Sequence, residues 1–434
     1  MFSNPEAGSP HEGEIRIDAS QLRLGVHVRL SVAWTDHPFM FNAFLISSEE
    51  QVQLIAAMNL PDLFCDLTRC KVPPLPKPVA APPPDKAQEA AQARMRVMAA
   101  QQTAEKQART LVMNELRERL DKAQKHYIGA AKTISGALKN FELNPKESVQ
   151  QMTLVSSEST EALLADPDSA IVLITEKAHD EGHAAHALSV MTLTLLLGKQ
   201  ARLPAEALLS LGIGALLHDI GKSAISSSIL HSAQRNKHEE ALYRTHCRTG
   251  YEKAAHAGNL SAPMLDAILH HHERLDGGGF PDALSGEAVH LAARVVAIAN
   301  RFDNLANPFD SRLALSPSEA LSKMWTQEQK LFDPLLLQLF VRAMGVYPPG
   351  SVVQLRDGRI GVVIASASTE NPLSPQVLIY EPEVPRRQAI IIDLSKDTSA
   401  KIERPLRLQE RPATELDYLL PRRKISWFHT EGKS

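Results

Sequence analysis

Residues 217–222 read Leu217-His218-Asp219-Ile220-Gly221-Lys222, and residues 270–281 read His270-His271-His272-Glu273-Arg274-Leu275-Asp276-Gly277-Gly278-Gly279-Phe280-Pro281. The first closes an apolar stretch of helical spacing. It sets an imidazole and a carboxylate side by side at a helix end, where they can hold different metal ions of one cluster. Taken alone, such a pair is often a capping carboxylate beside a half-buried histidine. In the second stretch, consecutive helical residues point about 100° apart, so two histidines can enter a shared cavity while the third faces elsewhere. The glycines that follow permit close approach to a ligand. Twelve of the 17 histidines fall between His179 and His290, a concentration that points to a use for imidazole.

Around these motifs, residues 158–345 carry apolar residues with helical spacing at 184–200, 205–217, 239–257, 262–272, 288–306 and 316–343, which predicts an all-α domain. Beyond Tyr347-Pro348-Pro349-Gly350 the period changes to two. Val352 to Leu355, a turn at Asp357-Gly358, Ile360 to Ile364, Val377 to Tyr380 and Ala389 to Leu394 predict a small β module over 346–398, followed by a tail at 399–434 with a basic run Arg422-Arg423-Lys424. Upstream, residues 14–71 mix β-like runs (Ile15 to Ile17, Val26 to Leu30, Phe41 to Ile46) with a helix from Glu49 to Met58, a small α+β module. Residues 72–85 hold seven prolines and read as an extended spacer.

Residues 86–150 read as a long helical segment. Met113, Leu116, Leu120, Ala123, Tyr127, Ala130, Ile134, Ala137 and Phe141 recur in steps of three and four. Within 86–141 this is either the seam of a homodimeric coiled coil or one face of a helix packed on its own chain. The fold class expected is thus multidomain: α+β module, long helix, all-α domain, β module.

Of the 434 residues, 44% are hydrophobic and 22% charged, the profile of a globular protein with real cores. A net charge of -3 argues against a nucleic-acid scaffold, which needs a marked basic excess. The three cysteines Cys65, Cys70 and Cys247 form no CxxC pair, so neither a disulfide framework nor a cysteine zinc site is expected. No basic start with an apolar core opens the sequence and no long apolar run occurs, so no membrane span and a cytoplasmic location are expected.

The two histidine-bearing stretches together resemble the HD-GYP family, whose pattern is HDIGK followed by HHExxDGxGYP, with Phe280 here in the place of the tyrosine. Residues 14 to about 141, notably Ile17-Asp18-Ala19-Ser20-Gln21-Leu22 and Trp34-Thr35-Asp36-His37-Pro38-Phe39, resemble the domain of unassigned function that precedes many HD-GYP domains. The resemblance implies an HD-superfamily helical fold and a centre of two divalent ions, iron or manganese. The ligands it implies are His186, His218, Asp219 as a bridge, His246 in an H-x-x-x-G pattern ending at Gly250, His271 and His272. It places Lys222 near the scissile phosphate, with Asp219 counted among the catalytic groups. Gly279, Phe280, Pro281 and Arg274 would meet substrate; Arg294, Arg301 and Arg312 are further candidates for phosphate, and all four arginines also read as surface or structural residues.

Further positions depart from the pattern. Asn300 stands where the family's AIAD segment has its aspartate, and a neutral amide is a poorer ligand for a divalent ion than a carboxylate. Gly182 stands where members with a third metal have a glutamate. Ser226-Ser227-Ser228 and His231-Ser232 also replace a proline-containing turn and a lysine. The activity implied is hydrolysis of cyclic di-GMP to pGpG or GMP, lowered by Asn300. The rival expectation is a degenerate domain that senses cyclic di-GMP or docks a signalling partner such as a diguanylate cyclase.

Overall fold

The computed structural model describes residues 10–77, 86–168, 171, 182–232, 234–366, 371, 373–397 and 400–420. His179, the last eight residues of the proline-rich stretch and the basic run Arg422-Arg423-Lys424 lie outside them. The chain divides into two compact units, residues 1–116 with 381–389, and residues 117–380 with 390–434.

In the first unit, strands β1 (Glu14–Ile17), β2 (His27–Leu30), β3 (Ala43–Leu45) and β4 (Leu63–Asp66) form an antiparallel sheet of order β1-β4-β2-β3. The sequence reading missed β4, whose Leu63, Phe64 and Cys65 are buried in succession and so display no alternation. Between β3 and β4 runs α1 (Glu49–Met58), opened by the Ser48 side chain accepting from the Gln51 amide and closed by Asn59 in the left-handed region at φ 48°. Ile17, Val28, Leu30, Leu54, Ile55, Leu63 and Cys65 share its core. Helix α2 (Lys86–Asn140) is continuous. At Lys106, only 1% exposed, the ammonium donates to the carbonyls of Trp34, His37 and Phe39, satisfying a charge that burial would otherwise penalise.

The second unit is helical: α3 (Pro145–Ala165), α4 (Gly182–Gln200), α5 (Ala205–Leu217), the single turn α6 (Ser227–Leu230), α7 (Lys237–Ala257), α8 (Ala262–His270), α9 (Leu291–Ala306), α10 (Pro317–Thr326) and α11 (Pro334–Met344). The single helix expected over 316–343 is two. Pro334 disfavours helical backbone at Asp333, and Asp333 instead caps α11 by accepting from the Leu335 and Leu336 amides. Strands β5 (Val352–Leu355), β6 (Ile360–Ala365), β7 (Gln376–Ile379), β8 (Ile391–Asp393) and β9 (Ile402–Pro405) form an antiparallel sheet of order β8-β7-β6-β5-β9. Strand β9 and α12 (Ala413–Leu419) fall in the stretch read from sequence as a tail. The former is an edge strand whose ladder partner, β5, lies about fifty residues earlier, so no local pattern announces it.

At the C-terminal end of α2, Ala130, Ile134, Ala137 and Phe141 belong to the helical core of the second unit, and Met113, Leu116 and Leu120 are buried. That end of the helix is thus packed on its own chain. Among the described residues, no helix is long and apolar enough to cross a membrane.

Candidate metal centre

Helix α5 is apolar all round, with Leu208, Leu211, Ile213, Ala215, Leu216 and Leu217 buried, so its C-terminus is delivered into the middle of the helical core. There His218 ends the helix, and the tight turn Ile220–Ala224 follows Asp219. A Cβ on Gly221 would lie 2.0 Å from the His246 carbonyl and 2.6 Å from the Gly250 amide. Only glycine lets this turn press against α7, which explains the H-x-x-x-G spacing: Gly250 is the contact floor and His246 is the side chain brought alongside. His186 comes from α4, and His271 and His272 from the end of α8.

The side chains converge on one carboxylate. Asp219 Oδ2 lies 3.5 Å from His186 Nε2 and 3.3 Å from His218 Nε2, while Oδ1 lies 3.5 Å from His246 Nε2 and 3.6 Å from His271 Nε2. Donor atoms of His186, His218 and Asp219, and of Asp219, His246, His271 and His272, fall within 4.8 Å of one another. Each oxygen of Asp219 therefore serves one cluster, the arrangement of a bridging carboxylate.

The other ring nitrogens decide which atoms face inward. His218, His246 and His271 direct Nδ1 at the carbonyls of Ala215, Tyr243 and Ile268, at 2.7, 2.6 and 2.9 Å. A carbonyl only accepts, so each Nδ1 carries the proton and each Nε2 of a neutral ring presents a lone pair. His186 directs Nδ1 at Asp303 Oδ2, 2.6 Å away. The Nε2 atoms of His186 and His218 then face each other at 3.3 Å, as do those of His246 and His271. Two lone pairs at that distance repel unless a cation lies between them, and about 2.1 Å from ion to imidazole nitrogen suits the spacing. Asp219 Oδ1 and His272 Nε2 are buried without a hydrogen-bond partner, a second sign that these residues fit a metal ion.

Burial pushes His246 down to about 3 and His271 down to about 4, and holds His272 well below its ordinary range, so the imidazoles stay neutral and free to ligate. For Asp219 burial acts upward, but the electrostatic field of His218 and Lys222 holds it well below the carboxylate range. Lys222 Nζ lies 2.5 Å from Asp219 Oδ2 and 5.6 Å from the centre of the Tyr243 ring. Phe280 stacks on His272, with centroids 4.5 Å apart and planes at 21°.

Several expected residues have other work. A Cβ on Gly279 would fall 2.5 Å from the Glu273 Cα and the Arg274 amide, so this glycine permits a close approach of its own backbone. Arg274 pairs with Asp276 at 2.5 Å, Arg294 with Asp333 at 3.1 Å, Arg301 with Glu328 at 2.6 Å and Arg312 with Asp310 at 2.7 Å. Asn300 is buried, and its Oδ1 accepts from Asn304 Nδ2 at 2.7 Å. Two residues escaped the sequence reading. Asp303, fully buried, orients His186; its signal is a carboxylate three residues beyond Asn300 on one helix face. Glu273, 3% exposed, accepts from the amides of Asp282 and Leu284 and so holds the loop that carries Phe280.

Residues 161–336 match the family described as HD domain, and residues 14–152 the family described as Domain of unknown function (DUF3391). The chain is 28% identical over 371 residues, 84% of each chain, to a protein of Pseudomonas aeruginosa named as a cyclic di-GMP phosphodiesterase. It is 36% identical over 149 residues to the cyclic di-GMP phosphodiesterase response regulator RpfG of Xanthomonas campestris pv. campestris, covering 34% of this chain and 39% of that one. A 3'3'-cGAMP-specific phosphodiesterase of Vibrio cholerae is 30% identical over 127 residues, 29% of this chain and 24% of that one.

Proposed function

We propose, for a chain that carries an HD domain of the HD-GYP kind behind a DUF3391 domain, that it is a metal-dependent phosphodiesterase hydrolysing cyclic di-GMP to pGpG, or to GMP after a second cut. The observation that carries this reading is the pair of facing Nε2 atoms on each side of Asp219. His186, His218 and Asp219 Oδ2 would hold one divalent cation, and His246, His271, His272 and Asp219 Oδ1 the other, with imidazole and carboxylate donors suiting iron or manganese. Cations held there activate water and offset the charge that develops on phosphoryl oxygens.

The chain's own groups do the rest. The ligand set brings one carboxylate charge against the four positive charges that two divalent cations would carry, so the loaded centre would stay positive and draw in an anionic dinucleotide. Lys222 adds an ammonium beside Asp219, close enough to meet a phosphate oxygen at the same centre. Phe280, flat against His272, would supply an aromatic wall next to the ligands.

A second reading, a domain that senses cyclic di-GMP or docks a diguanylate cyclase without turnover, is favoured by Asn300, whose carbonyl oxygen is engaged by Asn304. Metal content per chain of anaerobically purified protein, measured with turnover of cyclic di-GMP and of 3'3'-cGAMP, separates the two. Metal with cyclic di-GMP cleavage supports the enzyme. Metal without cleavage of either dinucleotide supports the sensor.

A further inference from the structure

Outside the histidine centre, the first unit brings together two of the three cysteines. Cys65 sits on β4, fully buried, and Cys70 ends the turn that leaves that strand and is partly exposed. Their sulfurs are 3.4 Å apart. The turn between them is shaped by Asp66, whose Oδ1 accepts from the Thr68 amide at 2.9 Å and its hydroxyl at 2.6 Å. Five residues of separation thus become direct sulfur contact through ordinary turn chemistry.

We propose that Cys65 and Cys70 are a reversible redox modification site, closed to a disulfide by hydrogen peroxide. The two thiols are unequal, which sets the order of steps. Cys70 is the one solvent reaches, and its sulfur accepts a 3.1 Å hydrogen bond from the His27 amide and donates one of 3.2 Å to the Asp66 carbonyl. Burial, together with the neighbouring Cys70 thiol, pushes Cys65 up to about 12, so Cys65 remains a protonated thiol. Peroxide therefore oxidises Cys70: its sulfur takes one peroxide oxygen, giving the sulfenic acid and one water. Cys65 sulfur then attacks Cys70 sulfur. The S–O bond breaks, and the hydroxyl leaves as a second water with the Cys65 proton. Two thiols lose two electrons and the peroxide gains them. Closing from 3.4 Å to the roughly 2.05 Å of a disulfide is within the reach of side-chain rotation, and sulfurs already in contact need no encounter step.

Closure would tether β4 to the segment beyond Cys70, where Lys71 and Val72 donate to the Gly25 carbonyl and Leu75 to that of Gln21. The lone buried Cys247 provides an internal control.

The sequence makes the test clean. Trypsin cuts after Arg29, Arg69 and Lys71, leaving Cys65 in the peptide 30–69 and Cys70 in the dipeptide 70–71. The full chain is treated with hydrogen peroxide, its free thiols are alkylated, and the digest is weighed. The expected product is peptide 30–69 joined to 70–71 with the loss of two hydrogens, released by dithiothreitol, while Cys247 remains alkylated. Cys70→Ser should leave Cys65 alkylated. Cys65→Ser should leave a sulfenic acid at Cys70 that dimedone captures. Peptides 30–69 and 70–71 recovered separately alkylated from peroxide-treated wild type, or a cross-link that joins Cys247 instead, would overturn the proposal.

Discussion

Asp303 Oδ2 accepts a 2.6 Å hydrogen bond from His186 Nδ1, and this contact, from a helix more than a hundred residues away in sequence, decides which nitrogen of His186 faces Asp219. Partners of this kind raise the basicity of a ligand and lock its ring. Asp303→Asn removes the charge and allows the other tautomer. The expected loss is about 10- to 100-fold in metal affinity or turnover. Metal retention on dialysis against a graded chelator reads the first and product formation the second, and a variant unchanged in both would show that Asp303 does not act through His186.

The centre and the lysine beside it should separate in their effects. His218→Ala and Asp219→Ala are expected to lose bound metal and turnover with the fold intact by circular dichroism. Lys222→Ala is expected to keep its metal and lose turnover, since an ammonium cannot ligate. Metal content measured alongside product formation for all three checks the division, and a metal-free Lys222→Ala would contradict it.

At position 300 a charged ligand should help. Asn300→Asp supplies a carboxylate where the amide now bonds Asn304, and Asn304 can donate to either. Higher metal occupancy and turnover are expected, up to the 10- to 100-fold scale of a ligand-shell contact. If occupancy and rate stay at wild-type values, the amide was no handicap.

The first unit should lose stability in acid for a reason unrelated to metal. His37 is fully buried, and its Nε2 lies 2.9 Å from Asn42 Oδ1. Burial pushes it down to about 4, against the roughly 6.5 of an unfolded histidine. Between those values the unfolded chain binds a proton that the folded chain refuses. The stability His37 allows is thus fully present above about pH 6.5 and falls away as pH drops toward 4, by at most about 3 kcal/mol. Thermal midpoints from pH 7 to 4 for wild type and His37→Gln test this. A slope unchanged in the variant would remove His37 as its origin.

The sequence alone determined the chemistry and the local frame. A buried helix ending in His218-Asp219, a histidine run before a glycine loop, and periods of 3.6 and two are local features, and they are legible because side-chain direction along a helix or strand follows from backbone geometry alone. Relations between distant segments required the tertiary structure. Only packing pairs His186 with His218 and His246 with His271 across Asp219, enlists Asp303 as the partner of His186, hands each candidate arginine a carboxylate, and draws β9 to the edge of a sheet begun about fifty residues earlier. It also packs Ala130, Ile134, Ala137 and Phe141 of α2 into the helical core, because apolar spacing states that a face must be covered and says nothing of which surface covers it. The physical reason is common to all of these: hydrogen bonds, ion pairs and burial are set by distance in space, which sequence separation does not encode.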